Sequence, residues 1–192
     1  MRTGEYYYAL YEVARTVSST LRIHQVLNRI VESTARGMQA KACSLRLLTP
    51  RRDQLIVSSV FGLSEDYVAK GPIEVSRSQV DADAILGNSV QIHDAGADPR
   101  MQYPVEAACE GIRSILIVPV AVKETVIGVL RVYTREPHEF TADELDFLQA
   151  VAELSGIAIE NARIYEALEA QFDAIRRAKI PWAENFAKPS WR

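Results

Sequence analysis

Apolar residues recur every three or four positions at the start of the chain, and this spacing predicts two amphipathic helices. The first lies within residues 1–21, and its apolar face consists of Leu10, Val13, Ala14 and Val17. The second carries a stripe made of Val26, Leu27, Ile30, Val31 and Ala35. Gly37 follows this stripe and is the predicted stop, because glycine is favoured just after a helix end.

The pattern then changes to the two-residue alternation of β-strands. The segment "KACSLRLLTPRRDQLIVSSVFGL" contains two alternating runs around a Pro-Arg-Arg-Asp turn at residues 50–53, which predicts a β-hairpin. Successive strand side chains point to opposite faces of a sheet. The first strand therefore has two sets of side chains, namely Cys43, Leu45 and Leu47 on one face and Ser44, Arg46 and Leu48 on the other.

A second predicted hairpin joins "GIRSILIVPVAV" to "VIGVLRVYTR" through "KET". Both arms are almost wholly apolar, which is typical of strands covered on both faces. Pro119 removes one ladder donor, so it predicts a strand end, an edge or a bulge at that position. Short helices and strands are expected between the two hairpins.

A long helix is predicted from Thr141 to about Ala178. Thr141 and Glu144 form a capping box at its start. Alternating four- and three-residue spacing predicts a heptad seam, which consists of Phe147, Val151, Leu154, Ala158, Asn161, Tyr165, Leu168 and Phe172 and continues to Ile175. A second apolar face of this helix could cover the sheet. The seam either pairs with a second copy of the chain or is covered by the first helix of the same chain.

Composition and charge narrow the function classes. The chain has 192 residues, of which 48% are hydrophobic and 24% charged, as in a folded globular domain. A net charge of −3 gives no basic footprint, so we expect neither nucleic acid nor a membrane surface as a partner. The two cysteines, Cys43 and Cys109, are too few and too far apart for a disulfide framework. No membrane-spanning run or signal peptide is recognisable, and a cytoplasmic location is expected.

The segment "LIVPVAVKETVIGVLRVYTREPHEFTADELDF" resembles the C-terminal half of the GAF domain family, a group of small-molecule-sensing modules. "SVQIHDAGADPR" and "ACSLRLLTPRRDQLIVSSVFGL" are similar to earlier parts of the same family. The resemblance implies an α+β fold with a central antiparallel sheet of about five to six strands. Helices from both termini would cover one face and a ligand pocket would lie on the other. A PAS-like fold is the structural alternative.

The resemblance implies one GAF-like domain over residues 1–178. Within it, residues 1–21 would form a dimerisation-type helix and residues 141–178 the long C-terminal helix. Residues 179–192 would form a tail that contains two tryptophans and two prolines.

The sequence lacks the motifs of three specialised groups within the family. Cyclic-nucleotide-binding domains carry an Asn-Lys pair where this chain reads "YTREP". Bilin-binding relatives attach the chromophore through a cysteine at the position that falls on Gln102 here, so no covalent bilin is expected. Free methionine sulfoxide reductases need several pocket cysteines, which makes an enzymatic role the weaker alternative. His24, His93 and His138 lie in separate elements, so no metal site is predicted.

If the family's pocket is present, the resemblance places candidate ligand contacts on the first strand and near residues 93–114. These candidates are Arg46, Asp94, Tyr103, Cys109, Arg113 and Ser114. An inward-facing Arg46 or Arg113 would favour a carboxylate or a phosphate. Cys109 is interpreted as a buried pocket-wall residue rather than a reactive group, because cysteine is among the most buried residue types.

The leading hypothesis is a non-catalytic sensory domain that binds a small molecule and signals through the packing of its terminal helices. It would act as a homodimer and pass its signal to a downstream signalling protein. The alternatives are an interaction scaffold whose pocket is filled by its own side chains, and a thiol-dependent reductase. The sequence does not identify a ligand or cofactor.

Overall fold

The computed structural model describes residues 2–19 and 23–179. Its centre is one six-stranded antiparallel sheet with the strand order β3-β2-β1-β6-β5-β4. The strands are β1 (Ala42–Leu48), β2 (Gln54–Phe61), β3 (Ile73–Glu74), β4 (Val90–Ile92), β5 (Ile115–Val122) and β6 (Thr125–Tyr133). The helices are α1 (Arg2–Ser19), α2 (Ile23–Gly37), α3 (Glu65–Ala69), α4 (Gln79–Ile85), α5 (Pro104–Cys109) and α6 (Ala142–Lys179). The predicted α+β fold class is therefore confirmed.

Both predicted hairpins are present, and their inner strands β1 and β6 lie side by side at the sheet centre. In this pair Ser44 is opposite Arg131 and Arg46 is opposite Val129. The alternation predicted for β1 is also confirmed, because Cys43 and Leu45 face one side while Ser44 and Arg46 face the other. Each central strand thus contributes side chains to two separate layers.

The helix-side core lies between the sheet and the helices α1, α2 and α6. From the sheet it includes Leu45, Leu116, Val118, Leu130 and Val132. The helices bring their apolar stripes to this face because burial of apolar surface is the main favourable term in folding. The helices from both ends of the chain therefore share one face of the sheet.

The roof-side core lies on the opposite face, under the short helices α3, α4 and α5 and the loops between them. We call these helices and loops the roof. This core contains apolar residues of the sheet, such as Ile115, Ile117 and Val129, together with Tyr67 and Met101 from the roof. It also holds most of the buried charged side chains of the sheet, so it is the layer in which a binding site can form.

Pro119 occupies a place that β5 can leave unpaired. The last β4–β5 pair toward it is Val90 with Ile117, so β5 extends past the short strand β4 before it reaches Pro119. On the other side Pro119 is opposite Val129, and the register shifts just beyond, between Val120 and Ala121. The predicted edge or bulge at this proline is confirmed.

The capping box at the start of α6 is also present. The Thr141 N–H donates to Glu144 Oε2 at 2.8 Å, and the Glu144 N–H donates to Thr141 Oγ1 at 3.3 Å. The reciprocal bonds satisfy two of the N–H groups that a helix start leaves without partners. With 38 residues, α6 is about 57 Å long at 1.5 Å per residue.

The heptad seam of α6 divides into two parts. Phe147, Val151 and Ala158 are buried in the helix-side core, and Leu154 packs against it. Tyr6 of α1 stacks on Phe147 with ring centroids 4.8 Å apart. The interpretation of these four positions as a dimer interface is corrected, because the terminal helices of the same chain cover them. Asn161, Tyr165, Leu168, Phe172 and Ile175 are exposed.

The structure does not describe residues 180–192, so the predicted tail lies almost wholly outside the described residues. Leu21, at the predicted end of the first helix, also lies outside them. Within residues 2–19 and 23–179, no helix combines the length and the apolar character needed to cross a membrane.

At Gly156, α6 lies close to the backbone of the sheet. A Cβ atom at this position would overlap the backbone carbonyl oxygen of Ala121 in β5. Backbone cannot move aside as a flexible side chain can, so only glycine fits here. Gly156 is therefore a close-packing point between α6 and β5.

We predict that Gly156→Ala lowers the free energy of unfolding, although alanine is the better helix former by about 1 kcal/mol. The overlap with Ala121 should outweigh this gain, since overpacking typically costs about 1–3 kcal/mol. Urea unfolding followed by circular dichroism measures the change. Gly4→Ala is the matched control, because Gly4 lies in α1 with open space around its Cβ position. Equal stability of Gly156→Ala and wild type would contradict the close approach.

Candidate functional site

Four polar side chains lie on the roof face of the two central strands. Ser44 and Arg46 belong to β1, and Arg131 and Tyr133 belong to β6; all four are at most 2% exposed. Two guanidinium groups buried in one layer are unusual, because an arginine is almost never fully buried without a partner. The local sequences explain the placement, since each arginine occupies a roof-facing position of a strand whose neighbouring residues face the helices.

Arg131 has a partner. Its Nη2 is hydrogen-bonded to Asp81 Oδ1, and both side chains are nearly inaccessible to solvent. Asp81 lies in the first turn of α4 and also accepts a hydrogen bond from Ser78 Oγ at 2.6 Å. Burial alone would lower the pKa of Arg131, but the charge and hydrogen bond of Asp81 raise it above its usual range. The buried ion pair therefore joins the roof to the centre of the sheet.

Two tyrosines complete the floor of the site. Tyr133 and Ser44 share a hydrogen bond between their hydroxyl groups at 2.8 Å. Tyr67 of α3 packs edge-on against Tyr133, with ring centroids 6.4 Å apart and an angle of 81° between the planes. Burial, with a further effect from Tyr133, raises the pKa of Tyr67 well above its usual range. Tyr67 is therefore neutral at physiological pH.

Lys70 lies at the end of α3, above Tyr67. Its Nζ donates to the Tyr67 carbonyl oxygen at 2.9 Å and lies 3.2 Å from the centroid of the Tyr67 ring. Burial lowers the pKa of Lys70 to about 7, and the positive charges of Arg46 and Arg131 act in the same direction. The Lys70 amino group can thus gain or lose a proton near neutral pH.

A narrow cavity lies between Arg131 of the sheet and the roof residues Tyr67 and Lys70. Its volume is only about 10 Å³, which is at the lower limit for a single water molecule. Its lining includes Lys70, Ile73, Met101, Gln102, Tyr103 and Arg131. The lining combines apolar side chains with a few fixed polar groups, as small-molecule sites do.

Several buried nitrogen atoms at this site have no hydrogen-bonding partner. Among the described residues, the buried side-chain atoms without a partner are Nε, Nη1 and Nη2 of Arg46, Nε of Arg131 and Nε2 of Gln102. The orientation of the Gln102 amide is fixed, because its Oε1 accepts the Glu74 N–H at 2.8 Å. Such groups are rare in folded proteins, since a buried donor without an acceptor is costly. They mark the place where the interior is incomplete.

A second buried ion pair holds the roof in position. Lys41 Nζ, just before β1, donates to Glu110 Oε1 at 2.6 Å, and the Ser64 N–H donates to the same oxygen at 3.2 Å. Burial by itself would raise the pKa of Glu110, but the hydrogen bonds from Lys41 and Ser64 lower it overall. Ser64 in turn caps α3 by accepting the Tyr67 N–H at 3.2 Å. The helix that carries Tyr67 and Lys70 is thereby tied to both α5 and the sheet.

A larger groove lies elsewhere, at the start of α6, and its lining includes Lys41, His138, Phe140 and Glu144. It is open, and its central carboxylate is already satisfied. Glu144 accepts hydrogen bonds from the Thr141 N–H and from His138 Nε2. Burial would raise the pKa of Glu144, but these bonds lower it overall. The groove therefore reflects helix capping rather than a binding site.

The structure brings only part of the sequence-based candidate set together. Arg46 is fully buried on the roof face, and Tyr103 lines the cavity while its hydroxyl donates to the Pro72 carbonyl oxygen at 3.0 Å. Ser114 is buried but has a local structural role. Its Oγ donates to the His93 carbonyl oxygen at 2.8 Å and accepts the His138 N–H at 2.9 Å.

Three other candidates are exposed. Asp94 and Arg113 lie 3.9 Å apart in a solvent-facing ion pair. Cys109 is exposed at the end of α5. The interpretation of Cys109 as a buried residue in the pocket wall is therefore wrong. Its neighbour Ala107 carries the buried face of this short helix.

Sequence reasoning missed Lys70, Asp81, Gln102 and Arg131. The signal for Arg131 was available, because "VLRVY" places a charge in the middle of an apolar strand, in the same way as "SLRLL" around Arg46. Asp81 and Gln102 gave no such signal, since short polar segments between strands usually face solvent. Among residues 2–19 and 23–179, no three His, Cys, Asp or Glu side chains are grouped so that they could hold a metal ion.

Comparison with known proteins gives a consistent result. Residues 22–159 match the family model described as GAF domain. The chain is 24% identical over 162 residues to the formate hydrogenlyase transcriptional activator of Salmonella typhimurium, a match that covers 82% of this chain and 23% of that protein. The chain thus spans about a quarter of the length of the curated relatives it matches.

Two solved structures illustrate the similarity of fold. The GAF domain of a phosphoenolpyruvate-protein phosphotransferase from Acinetobacter is 25% identical, with a TM-score of 0.70 over 81% of this chain and 93% of that chain. The free methionine-R-sulfoxide reductase of Neisseria meningitidis is 19% identical, with a TM-score of 0.70 over 83% of this chain and 91% of that chain.

We predict that Asp81→Ala destabilises the protein by about 3–5 kcal/mol, because it leaves Arg131 as an unpaired buried charge. The double variant Asp81→Leu/Arg131→Met should recover part of this loss, since it removes both charges. Urea unfolding at pH 7 measures both changes. Glu32→Gln is the control, because it breaks an exposed ion pair with Arg36 and should change stability by less than about 0.5 kcal/mol. Equal effects of Asp81→Ala and Glu32→Gln would contradict a buried pair.

A second prediction concerns pH. The folded-state pKa of Lys70, about 7, lies below its unfolded value, so the unfolded chain binds more protons between about pH 7 and 10. The free-energy penalty of burying charged Lys70 is therefore fully present below about pH 7, and it disappears as pH rises to about 10. Urea unfolding should show that the stability gain of Lys70→Met over wild type grows from pH 10 to pH 7.

The matched control for this measurement is Lys123→Met, whose side chain is 80% exposed. Its stability difference from wild type should not change over the same pH range. A constant difference for Lys70→Met would show that Lys70 keeps its ordinary pKa.

Proposed function

Since the chain belongs to the GAF domain family of sensory and regulatory modules, we propose that it is a non-catalytic regulatory domain that binds a small molecule under its roof. The single observation that carries this proposal is the set of buried donors without partners in the roof-side core, where those of Arg131 and Gln102 lie at the narrow cavity and those of Arg46 lie outside its lining. A core that had evolved only for packing would satisfy or replace such groups, because each one destabilises the empty protein. A ligand that supplies the missing acceptors would remove this penalty.

The architecture offers a short route from the roof to the helices. Arg131, beside the cavity, lies between Leu130 and Val132, which belong to the helix-side core. In the same way Arg46 lies between Leu45 and Leu47, which pack against that core. A change in β1 or β6 at the ligand therefore reaches α2 and α6 within one residue. A ligand shifts such an equilibrium only if it binds one arrangement better than the other.

The distal part of α6 supports homodimerisation as the means of signalling. From residue 160 onward this helix lies beyond the segment that matches the family model, and it exposes a row of large apolar side chains. The row consists of Ile164, Tyr165, Leu168, Phe172 and Ile175. α1 adds the exposed rings of Tyr7, Tyr8 and Tyr11. A second copy of the chain offers an identical heptad row, which is the complement that a coiled coil requires.

The thiol chemistry of the chain does not favour an enzyme. Cys43 is fully buried in the helix-side core, and burial raises the pKa of its thiol far above the usual range. The thiolate is the nucleophile in thiol catalysis, so a buried neutral thiol is a poor candidate. Cys109 lies at the exposed end of α5, on the roof side. The two cysteines thus lie on opposite sides of the sheet rather than together at a site.

The proposed setting is a cytoplasmic signalling protein. One relative is named a transcriptional activator, and we infer that this chain likewise regulates a downstream signalling partner. The alternative function, an interaction scaffold whose interior needs no ligand, is favoured by the narrowness of the cavity. The two functions differ in whether a molecule other than water occupies the roof-side core.

Native mass spectrometry of freshly purified protein tests both parts of the proposal. We expect a dimer whose mass exceeds twice the chain mass by that of a retained small molecule, or that gains such a mass when a ligand is added. A protein that neither retains nor gains a molecule from a chemically diverse library, and whose stability is unaffected by that library, would support the scaffold instead.

We predict that Leu168→Glu/Phe172→Glu converts the dimer into a monomer, because the substitutions place four like charges in the centre of the paired seam. Light scattering coupled to size-exclusion chromatography at about 50 μM measures the mass. Leu86→Glu is the matched control, since Leu86 is a fully solvent-facing leucine at the end of α4, away from the seam. A wild-type chain that is already monomeric at this concentration would contradict dimerisation through α6.

A further inference from the structure

We propose that the molecule bound under the roof is a small monocarboxylate, and that Arg46 is the residue that holds its carboxylate group. This inference rests on the proposed ligand-binding function and specifies the chemistry of the same site. It follows from the kind of atoms left without partners, from the count of buried charges and from the side chains around Arg46.

The atoms without partners are all hydrogen-bond donors. Three belong to the guanidinium of Arg46, one to Arg131 and one to the amide of Gln102. Among the described residues, no buried side-chain oxygen is left without a partner. The missing group must therefore be an acceptor with several lone pairs, and a carboxylate has about four acceptor sites on two oxygens.

The count of buried charges requires that this acceptor be an anion. Asp81 neutralises Arg131, whereas Arg46 has no hydrogen-bonding partner among the described residues. The charge of Arg46 is thus left uncompensated, and Lys70 adds a second positive charge only in its protonated form. A water molecule could accept from one or two of the donors, but it would not offset the charge. A ligand with a single negative charge would offset the charge of Arg46.

The surroundings of Arg46 favour a carboxylate over phosphate or sulfate. The planar guanidinium matches a planar carboxylate in a two-bond geometry. A phosphate carries up to two negative charges, of which Arg46 would offset one, so the second would require Lys70 in its charged form. Val57 and Val129 are the strand partners of Arg46 and face the same side of the sheet. These side chains suit a short alkyl group.

The closed cavity favours a short group. There is almost no free volume between its apolar walls, which include Ile73 and Met101, and Arg46 lies outside its lining. A carboxylate therefore enters only if the roof moves, and one of a few carbon atoms displaces the roof least. Lys70 lines the same cavity and supplies a second, adjustable cation at its α3 side.

The first test measures thermal unfolding of the dialysed full chain with sodium acetate, propionate or butyrate, against sodium chloride at equal ionic strength. We expect the melting temperature to rise and saturate with at least one of the carboxylates, since a ligand that binds only the folded state stabilises it. Propionamide, which has the shape of propionate without its charge, should have no effect. An equal effect of propionamide and propionate would overturn the inference and needs no variant.

The second test uses Arg46→Met, which keeps the bulk of the side chain and removes the charge. Without carboxylate its melting temperature should be higher than that of wild type, because an uncompensated buried charge has been removed. With carboxylate it should show no further rise, and calorimetric titration should give at least about tenfold weaker binding. Arg113→Met is the matched control, because Arg113 is exposed, and it should respond as wild type does.

The opposite results are equally clear. If Arg46 has only a structural role, Arg46→Met lowers the melting temperature in the absence of carboxylate. If phosphate or sulfate raises the melting temperature of wild type at lower concentrations than any carboxylate, the site is an oxoanion site of another class. Either result overturns the inference.

The pH dependence provides a readout that a merely structural role would not produce. Lys70 faces the rings of Tyr67 and Tyr103, the guanidinium groups of Arg46 and Arg131, and the carboxylates of Glu106 and Glu110. A bound anion would favour its charged form, so binding takes up a proton above about pH 7. Carboxylate affinity should therefore fall as pH rises from 6.5 to 8.5. Lys70→Met should remove this dependence.

Failure of the inference and failure of the proposed function can be told apart. A neutral molecule that is retained in native mass spectra and raises the melting temperature would leave ligand sensing intact and exclude the carboxylate. A chain that binds no molecule of any charge would overturn both.

Discussion

The burial of two arginines on the roof face of the central strands is the constraint on which the rest of the structure depends. A buried guanidinium destabilises the fold unless another group offsets its charge. For Arg131 the offset comes from Asp81, which draws the first turn of α4 onto the sheet and so fixes part of the roof. For Arg46 no offset lies among the described residues. Arg131 thus stabilises the roof, whereas Arg46 leaves buried donors without partners beneath it.

This asymmetry explains why the two faces of one sheet have different roles. On the helix side, apolar stripes from α1, α2 and α6 meet apolar strand residues in one buried core. On the roof side, short helices connected by loops cover a mixed apolar and charged surface, and the ion pair between Lys41 and Glu110 holds them in place. Short segments of this kind have few contacts of their own, so in the proposed function they are the part of the fold that would open for a ligand. The helix side would then report the change through α6.

α6 shows how one sequence pattern can serve two structural purposes. Its seam has a single heptad spacing, yet Phe147 is buried against Tyr6 of the same chain while Phe172 is exposed. The spacing predicts that an apolar stripe needs a partner, and it cannot specify whether the partner is the same chain or another. That depends on which segments of the chain the assembled fold places against the stripe. The proximal half of the stripe belongs to the domain core, and the distal half is available for association.

The sequence by itself determined the elements of this protein, because hydrophobic periodicity, a capping box and turn residues act over a few neighbouring positions. It also determined that Ser44 and Arg46 share a face, since side chains in a strand alternate strictly. Only the tertiary structure decided that Cys109 is exposed, that Ser114 holds loops together and that Arg131 and Lys70 belong to the site. These outcomes depend on which distant segments meet. The effect of a charge such as that of Arg46 depends on whether the fold places a partner beside it.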